Sequence, residues 1–213
     1  MKGKTHIDFG IRQILEFPQI YNFKRILFGG NNYKAKYYNE LFCKPHIKSV
    51  LDIGCGTGEM LQYLPKSVDY VGLDMEEKYI KYCQEQYSIY PKAKFFLESV
   101  GEVYHQEWEN SFDAINAHGL MHHLADSDCK TLLKHCYNYL KPGGFLITVD
   151  SVFYSKQGFL SRFLVSLDRG QNIKTPSGYL EVASKVFDEI DGELITNHIR
   201  IPYSIYRMIC VKR

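Results

Sequence analysis

Between Ser49 and Val149, short apolar runs of four to six residues alternate with polar, helix-patterned stretches, and this rhythm constrains the fold more than any other feature. The runs are Ser49–Ile53, Tyr70–Asp74, Lys94–Leu97, Phe112–Ala117 and Phe145–Val149. Strands separated by connections long enough to hold a helix predict a parallel sheet built from right-handed crossovers. A short helical pattern runs from Glu59 to Leu64. A longer one runs from Met75 to Tyr90, where Tyr79, Ile80, Cys83 and Tyr87 recur at three- and four-residue spacing and Pro91 closes the pattern. Asp126 or Ser127 is expected to cap a third helix carrying Leu132, Leu133, Cys136 and Leu140, stopped by Lys141-Pro142-Gly143-Gly144.

The rhythm breaks near the end of the chain. A helix from Gly178 to Ile190 is expected to precede strands at Glu193–Ile201 and Tyr203–Val211, so closely joined that the last must run antiparallel to its partner. The resulting expectation is one domain over residues 1–213. Residues 1–46 form an N-terminal helical lid, 47–150 the core, 151–177 an insert forming an acceptor wall, and 178–213 a C-terminal helix and β-hairpin. No apolar run approaches the roughly 20 residues needed to span a bilayer. The first residues lack the apolar stretch of a secretory signal. Six scattered cysteines, none in a C-x-x-C pair, suit reduced thiols in a cytoplasm. His122, His123, Cys129, His135 and Cys136 cluster in sequence but lack paired-ligand spacing, so no metal is expected.

Chemistry concentrates where the first strand ends. Gly54-Cys55-Gly56-Thr57-Gly58 follows a strand and opens a helical segment, and Asp74 ends the second strand. Glycines let backbone approach a ligand, a helix start offers free N–H groups, and a carboxylate accepts two bonds from a ribose diol. The G-x-G-x-G spacing differs from the dinucleotide fingerprint, and the absence of G-K-[ST] excludes a P-loop.

On these residues the chain resembles the class I S-adenosylmethionine-dependent methyltransferases. LDIGCGTG is similar to their first motif, YVGLD to the second, FDAINAHGLMHHL to the fourth-strand region and LKPGGFLITVD to the fifth, together covering residues 49–150. The resemblance implies a Rossmann-like α/β fold with a seven-stranded, mostly parallel sheet in the order 3-2-1-4-5-7-6, its last strand antiparallel. It also implies S-adenosyl-L-methionine as cofactor and S-adenosyl-L-homocysteine as product. Asp52 would orient the glycine loop or the amino-acid part of the cofactor. Gly54, Cys55, Gly56 and Gly58 would line its methionine moiety, Asp74 would hold the ribose and Met75 would pack on adenine. Glu98 or Ser99 would reach the adenine amino group, and Ala117 and His118 would close over the methionine end. Asp168-Arg169-Gly170 and Arg200-Ile201-Pro202-Tyr203 are similar to segments of a bacterial small-molecule subgroup.

Methyl transfer from a sulfonium depends mainly on alignment, with a base where the acceptor must lose a proton. His122 or His123, just past the fourth strand, is expected to contact the acceptor, with Asp150 as a further candidate for catalysis. Tyr21, Arg169 and Tyr203 are expected to bind the acceptor, Arg169 and Tyr203 by clamping a polar or anionic group. The expected reaction is transfer to O or N of a small polar molecule by a monomer or homodimer. The alternatives are a nucleic-acid (RNA) methyltransferase and a non-catalytic cofactor-binding regulator. Residues 1–48 hold 9 Lys/Arg against 3 Asp/Glu, while the remainder holds 17 against 21. The basic head, Lys24, Arg25, Lys34 and Lys36 included, is expected to favour an anionic acceptor more than nucleic acid, since its charges are spaced singly.

Overall fold

The computed structural model describes residues 30–99, 103–168, 170–196 and 199–213, with side chains from residue 35 onward. Tyr21 and Arg169 therefore lie outside the described residues, as do Lys24, Arg25 and the side chain of Lys34. Seven strands, β1 (Ser49–Ile53), β2 (Asp69–Asp74), β3 (Ala93–Leu97), β4 (Phe112–His118), β5 (Leu140–Ser151), β6 (Glu189–Ile195) and β7 (Ile205–Val211), form one sheet. Their order is β3-β2-β1-β4-β5-β7-β6, as expected. The first five pair in parallel, and β7 runs antiparallel to both β5 and β6.

Alternation along the central strands sends successive side chains to opposite faces, and each face carries its own core. Leu51, Ile53, Ile115 and Leu146 meet Leu132, Leu133 and Cys136 of α3 (Asp126–Tyr139) and Tyr179 and Val182 of α5 (Pro176–Ala183). Val50, Tyr70, Ala114 and Ile147 meet Tyr37, Tyr38 and Phe42 of α1 (Gly30–Phe42) and Ile80 and Cys83 of α2 (Glu77–Gln86). On this second face Tyr37, Tyr38 and Phe42 are only 2%, 3% and 0% exposed. The described end of the head is thus a packed cover for the sheet. Lys36 points outward and pairs with Glu40 at 3.8 Å.

Several boundaries differ from the sequence reading, each for a local reason. The segment after the glycine loop is a four-residue 3-10 helix, Glu59–Gln62. The following helix starts at Glu77 rather than Met75, because the Glu76 N–H is bonded to the Asp74 carboxylate at 2.9 Å. Ala125, not Asp126 or Ser127, occupies the N-cap of α3, and the Asp126 carboxylate instead pairs with Lys174 at 3.2 Å. Lys141-Pro142-Gly143-Gly144 lies inside β5, which begins at Leu140 opposite Phe112. Gly143 takes a φ of 78° and its N–H bonds to Lys212 O at 2.8 Å, so the glycine pair forms an irregularity within the strand.

The C-terminal helix runs only Pro176–Ala183, capped by Thr175 accepting from the Gly178 N–H at 3.2 Å. Residues 189–195, expected partly as helix, are the edge strand β6, and β7 begins at Ile205. Helical spacing there misleads because β6 is an exposed edge, half-buried only at Ile190 and Ile195, so no buried face marks it as a strand. Gly192 is fixed by packing, since a Cβ there would stand 2.0 Å from the Tyr206 hydroxyl oxygen.

Gly58 carries the tightest constraint in the glycine loop. Its φ is +65°, and a Cβ would lie 2.8 Å from Tyr87, 3.1 Å from Cys83 and 3.3 Å from Phe95. Gly58→Ala is expected to cost about 2–5 kcal/mol, combining left-handed strain with overpacking. Urea denaturation measures this, with a shift in midpoint at unchanged slope.

Candidate functional site

The carboxyl ends of β1, β2 and β4 surround a cavity of about 410 Å³. Its lining includes Gly54, Cys55, Gly56 and Thr57 from the loop, Asp74 and Met75 after β2, and His118 to Leu120 after β4. Gly54 and Gly56 adopt φ of 70° and 54°. A Cβ at Gly56 would meet nothing within 4 Å, and one at Gly54 only Leu120 at 3.8 Å. Both glycines therefore leave room for a ligand on the cavity side, whereas Gly58 faces the protein interior.

Asp74 organises the loop. One oxygen accepts from the Gly56 N–H at 2.8 Å and the other from the Glu76 N–H at 2.9 Å. Burial raises its pKa, opposed by those two backbone bonds. Each oxygen keeps capacity for a further donor from the cavity. Met75, 69% exposed, stands at the mouth, and Ser99 and Tyr79 line the same end.

Asp52 lies deeper, only 3% exposed. It accepts from Tyr70 Oη at 2.7 Å and from Asn116 Nδ2 at 2.7 Å, and Tyr37 Oη donates to Asn116 Oδ1 at 3.3 Å. Burial, then the Asp52 charge, push the Tyr70 phenol well above its ordinary range, keeping it a donor. Asp52 and Asn116 also reach the cavity wall.

Other expected site residues are placed elsewhere. Ala117 is fully buried in the core beneath β4 and does not line the cavity. Glu98 turns away to pair with His105 at 2.8 Å beside a second, much smaller cavity. Of that pair Ser99 alone faces the large cavity. Both lie just past the end of β3, and the pairing with His105 holds the Glu98 side chain away from the cavity.

The adjacent histidines also divide. His123 lines the cavity, while His122, 5% exposed, is clamped behind it. His122 Nδ1 bonds Asp150 Oδ1 at 2.8 Å, and Nε2 meets Asp168 Oδ1 at 3.2 Å. Burial alone would lower the His122 pKa; the two carboxylates override it and hold the group at about 9. His122 is therefore an imidazolium at neutral pH and cannot take a proton from an acceptor. Asp150, expected at the open edge of β5, is 1% exposed and engaged with this ring. Tyr203 is likewise committed, bonding Ser151 Oγ at 2.7 Å and the Asp168 carboxylate. His122, His123 and Asp168 carry donor atoms within 4.8 Å of one another. Both His122 nitrogens and both Asp168 oxygens are already spent on hydrogen bonds.

Sequence reasoning missed Tyr38, Tyr79, Thr57 and Asn116 as lining residues. Asn116 was in principle findable, because β1 and β4 pair with Asp52 opposite Asn116. Tyr38 carried no local signal, arriving from a helix before the first strand.

Comparison with known proteins follows this geometry. A family described as "Methyltransferase domain" matches residues 50–144. Phosphoethanolamine N-methyltransferase 3 of Arabidopsis thaliana is 30% identical over 68% of this chain and 29% of its own length. Ubiquinone biosynthesis O-methyltransferase of Aliivibrio fischeri is 28% identical over 53% of this chain and 46% of its own. The chain thus spans less than half the length of either relative. Phosphoethanolamine N-methyltransferase 2 of Haemonchus contortus, solved with S-adenosyl-L-methionine, superposes with a TM-score of 0.71 at 17% identity, over 97% of this chain and 58% of that one, a likeness of fold.

The clamped histidine sets a pH dependence. With its folded pKa raised to about 9, the stability His122 contributes is fully present below about pH 6.5 and is lost as pH rises through about 9. Melting temperature is expected to fall across that window in the native chain. In His122→Gln protein this component of the slope disappears.

Proposed function

We propose, from the premise that this chain carries a class I S-adenosylmethionine-dependent methyltransferase domain, that it methylates a nitrogen or oxygen of a small polar molecule by in-line displacement, releasing S-adenosyl-L-homocysteine. The observation that carries this reading is the open glycine loop facing Asp74 across the cavity. Gly54 and Gly56 offer backbone at close approach, and Asp74 has unspent acceptor capacity where a ribose diol would lie. Met75, Tyr79 and Ser99 would bracket an adenine, and Asn116, His118 and Asp52 would stand near an amino-acid tail. The site fits the cofactor in donor set and in kind. When bound, the sulfonium supplies an activated methyl group.

The protein's share is then placement and proton handling. Holding acceptor and methyl carbon in line supplies most of the acceleration. Tyr38, Leu120, His123 and Leu124 line the same cavity. His123 is the residue we assign to contact the acceptor and accept its proton, since imidazole is the side chain best matched to that task at neutral pH. His122 and Asp150, the other two candidates for catalysis, are withheld from it by each other.

A cavity of about 410 Å³ falls in the small-molecule range of about 300–1,000 Å³. No helix among the described residues is long and apolar enough to cross a membrane. Six free cysteines, five of them buried, suit a reducing cytoplasm.

S-adenosyl-L-homocysteine at millimolar concentration is expected to raise the melting temperature, and Asp74→Ala to abolish the rise. No shift in the native chain would sink the proposal. For chemistry, homocysteine-adduct release is followed with phosphoethanolamine as an amine acceptor and catechol as a hydroxyl acceptor. On whichever is used, His123→Ala is expected to lower turnover about 100-fold or more while leaving cofactor affinity within about twofold.

A further inference from the structure

The insert between β5 and α5 contains α4 (Phe159–Ser166) and then a segment laid directly against the turn Met121–His123. Asp168 contacts His122 Nε2, the Asn172 N–H donates to His122 O at 2.9 Å, and Asn172 Nδ2 donates to His123 O at 3.3 Å. Gly170 packs so closely that a Cβ would fall 2.2 Å from the His122 ring and 2.8 Å from its carbonyl oxygen. Lys174 continues the seam, donating to Leu124 O at 3.4 Å and Asn172 O at 3.2 Å. On the other side, the Asp150 carboxylate holds both the ring and the backbone N–H of His122, at 2.8 and 3.2 Å.

Asp168 is itself braced from two further elements. Its second oxygen accepts from Ser151 Oγ at 2.7 Å, at the end of β5, and from Tyr203 Oη, just before β7. Its first oxygen accepts from the Gly170 N–H at 3.0 Å. A carboxylate with this many donors stays ionised through the whole neutral range, and its pKa is driven far below the ordinary value despite burial. The charged or titratable groups around His122 are Asp150 from β5, Asp168 from the insert and His123 on its own turn, whose ring centroid is 4.2 Å away. Behind them, Tyr203 touches Asp168 and Lys174 pairs with Asp126 at the start of α3.

We propose that His122 is a positioning residue: clamped as an imidazolium between Asp150 and Asp168, it fastens the insert to the turn that aims His123 into the cavity. The proposal rests on the reading of that cavity as the site of methyl transfer. A single ring bridges the end of β5 and the insert, so its proton adds a charged link to the Ser151–Asp168 bond that already joins them. A neutral ring can donate to only one of the two carboxylates, and the other contact becomes an acceptor facing an anion. Loss of the proton therefore releases the insert or the strand side and frees the turn carrying His123.

The full chain labelled with 13C,15N-histidine is titrated by NMR from about pH 6 to about pH 10. His122 is expected to titrate with a midpoint of about 9, and a His123 resonance to show a second inflection at that same midpoint. In Asp168→Asn protein the midpoint falls, and amide exchange at Gly170 and Asn172 quickens by more than about tenfold. Binding of S-adenosyl-L-homocysteine to that variant, by calorimetry, changes by less than about twofold, because neither residue lines the cofactor end. A His122 midpoint near 6.5 in the native chain, or unaltered exchange in the variant, would overturn the proposal. Stoichiometric Zn²⁺ binding that His122→Gln abolishes would overturn it too, by making the ring a ligand. Failure of the native chain to bind S-adenosyl-L-homocysteine defeats the methyl-transfer reading instead, and the histidine titration is read independently of it.

Discussion

One buried carboxylate ties the middle of the sheet together. Asp52, the penultimate residue of β1, takes a hydrogen bond from Tyr70 on β2 and another from Asn116 on β4, and so binds three adjacent strands beside the ligand cavity. Charge at this depth is tolerated only because both oxygens have donors, and leaving one unmatched costs about 1–3 kcal/mol. The Tyr37 hydroxyl extends the chain of bonds to α1, so the helix before the first strand is registered against the same group. The glycine loop begins two residues after Asp52, and its first turn inherits this fixed starting point. Asp74, one strand over, then fixes the far side of the loop through the Gly56 N–H.

Much of this was legible from the residues in order. The five parallel strands, the glycine-rich turn and the acidic residue answering it all announce themselves through local pattern, because period-two runs and glycine punctuation depend only on neighbours in the chain. The strand order was what the resemblance to the methyltransferase family implied, and right-handed crossovers are compatible with it. Boundaries near Ile190 and at Lys141-Pro142-Gly143-Gly144 were not legible. There the outcome is set by partners far away in sequence: Tyr206 over Gly192, and Lys212 beside Gly143 and Gly144.

The site divides along the same line. Gly54, Gly56, Asp74, Met75 and His118 were expected at the cavity and are found there. Gly58, Ala117 and Glu98, read from the same motifs, face elsewhere, because a motif marks a stretch of backbone while the pleat decides which side chains turn inward. Among His122, His123 and Asp150 the sequence offered three equivalent candidates. Only the packing of the insert separates the one that lines the cavity from two that pair with each other, and the residues that do this, Asp168 and Gly170, lie more than forty positions downstream.

The outermost strand carries a last consequence. β6 presents Glu189, Asp191 and Glu193 on the free side of the sheet, with Arg207 and Arg213 of the neighbouring segment drawn inward to Glu193 and Glu189. A second copy approaching edge to edge would set carboxylates against carboxylates just where backbone N–H and C=O groups invite pairing. Growth of the sheet across molecules is therefore opposed at this border. The hairpin that closes the fold also acts as its fence.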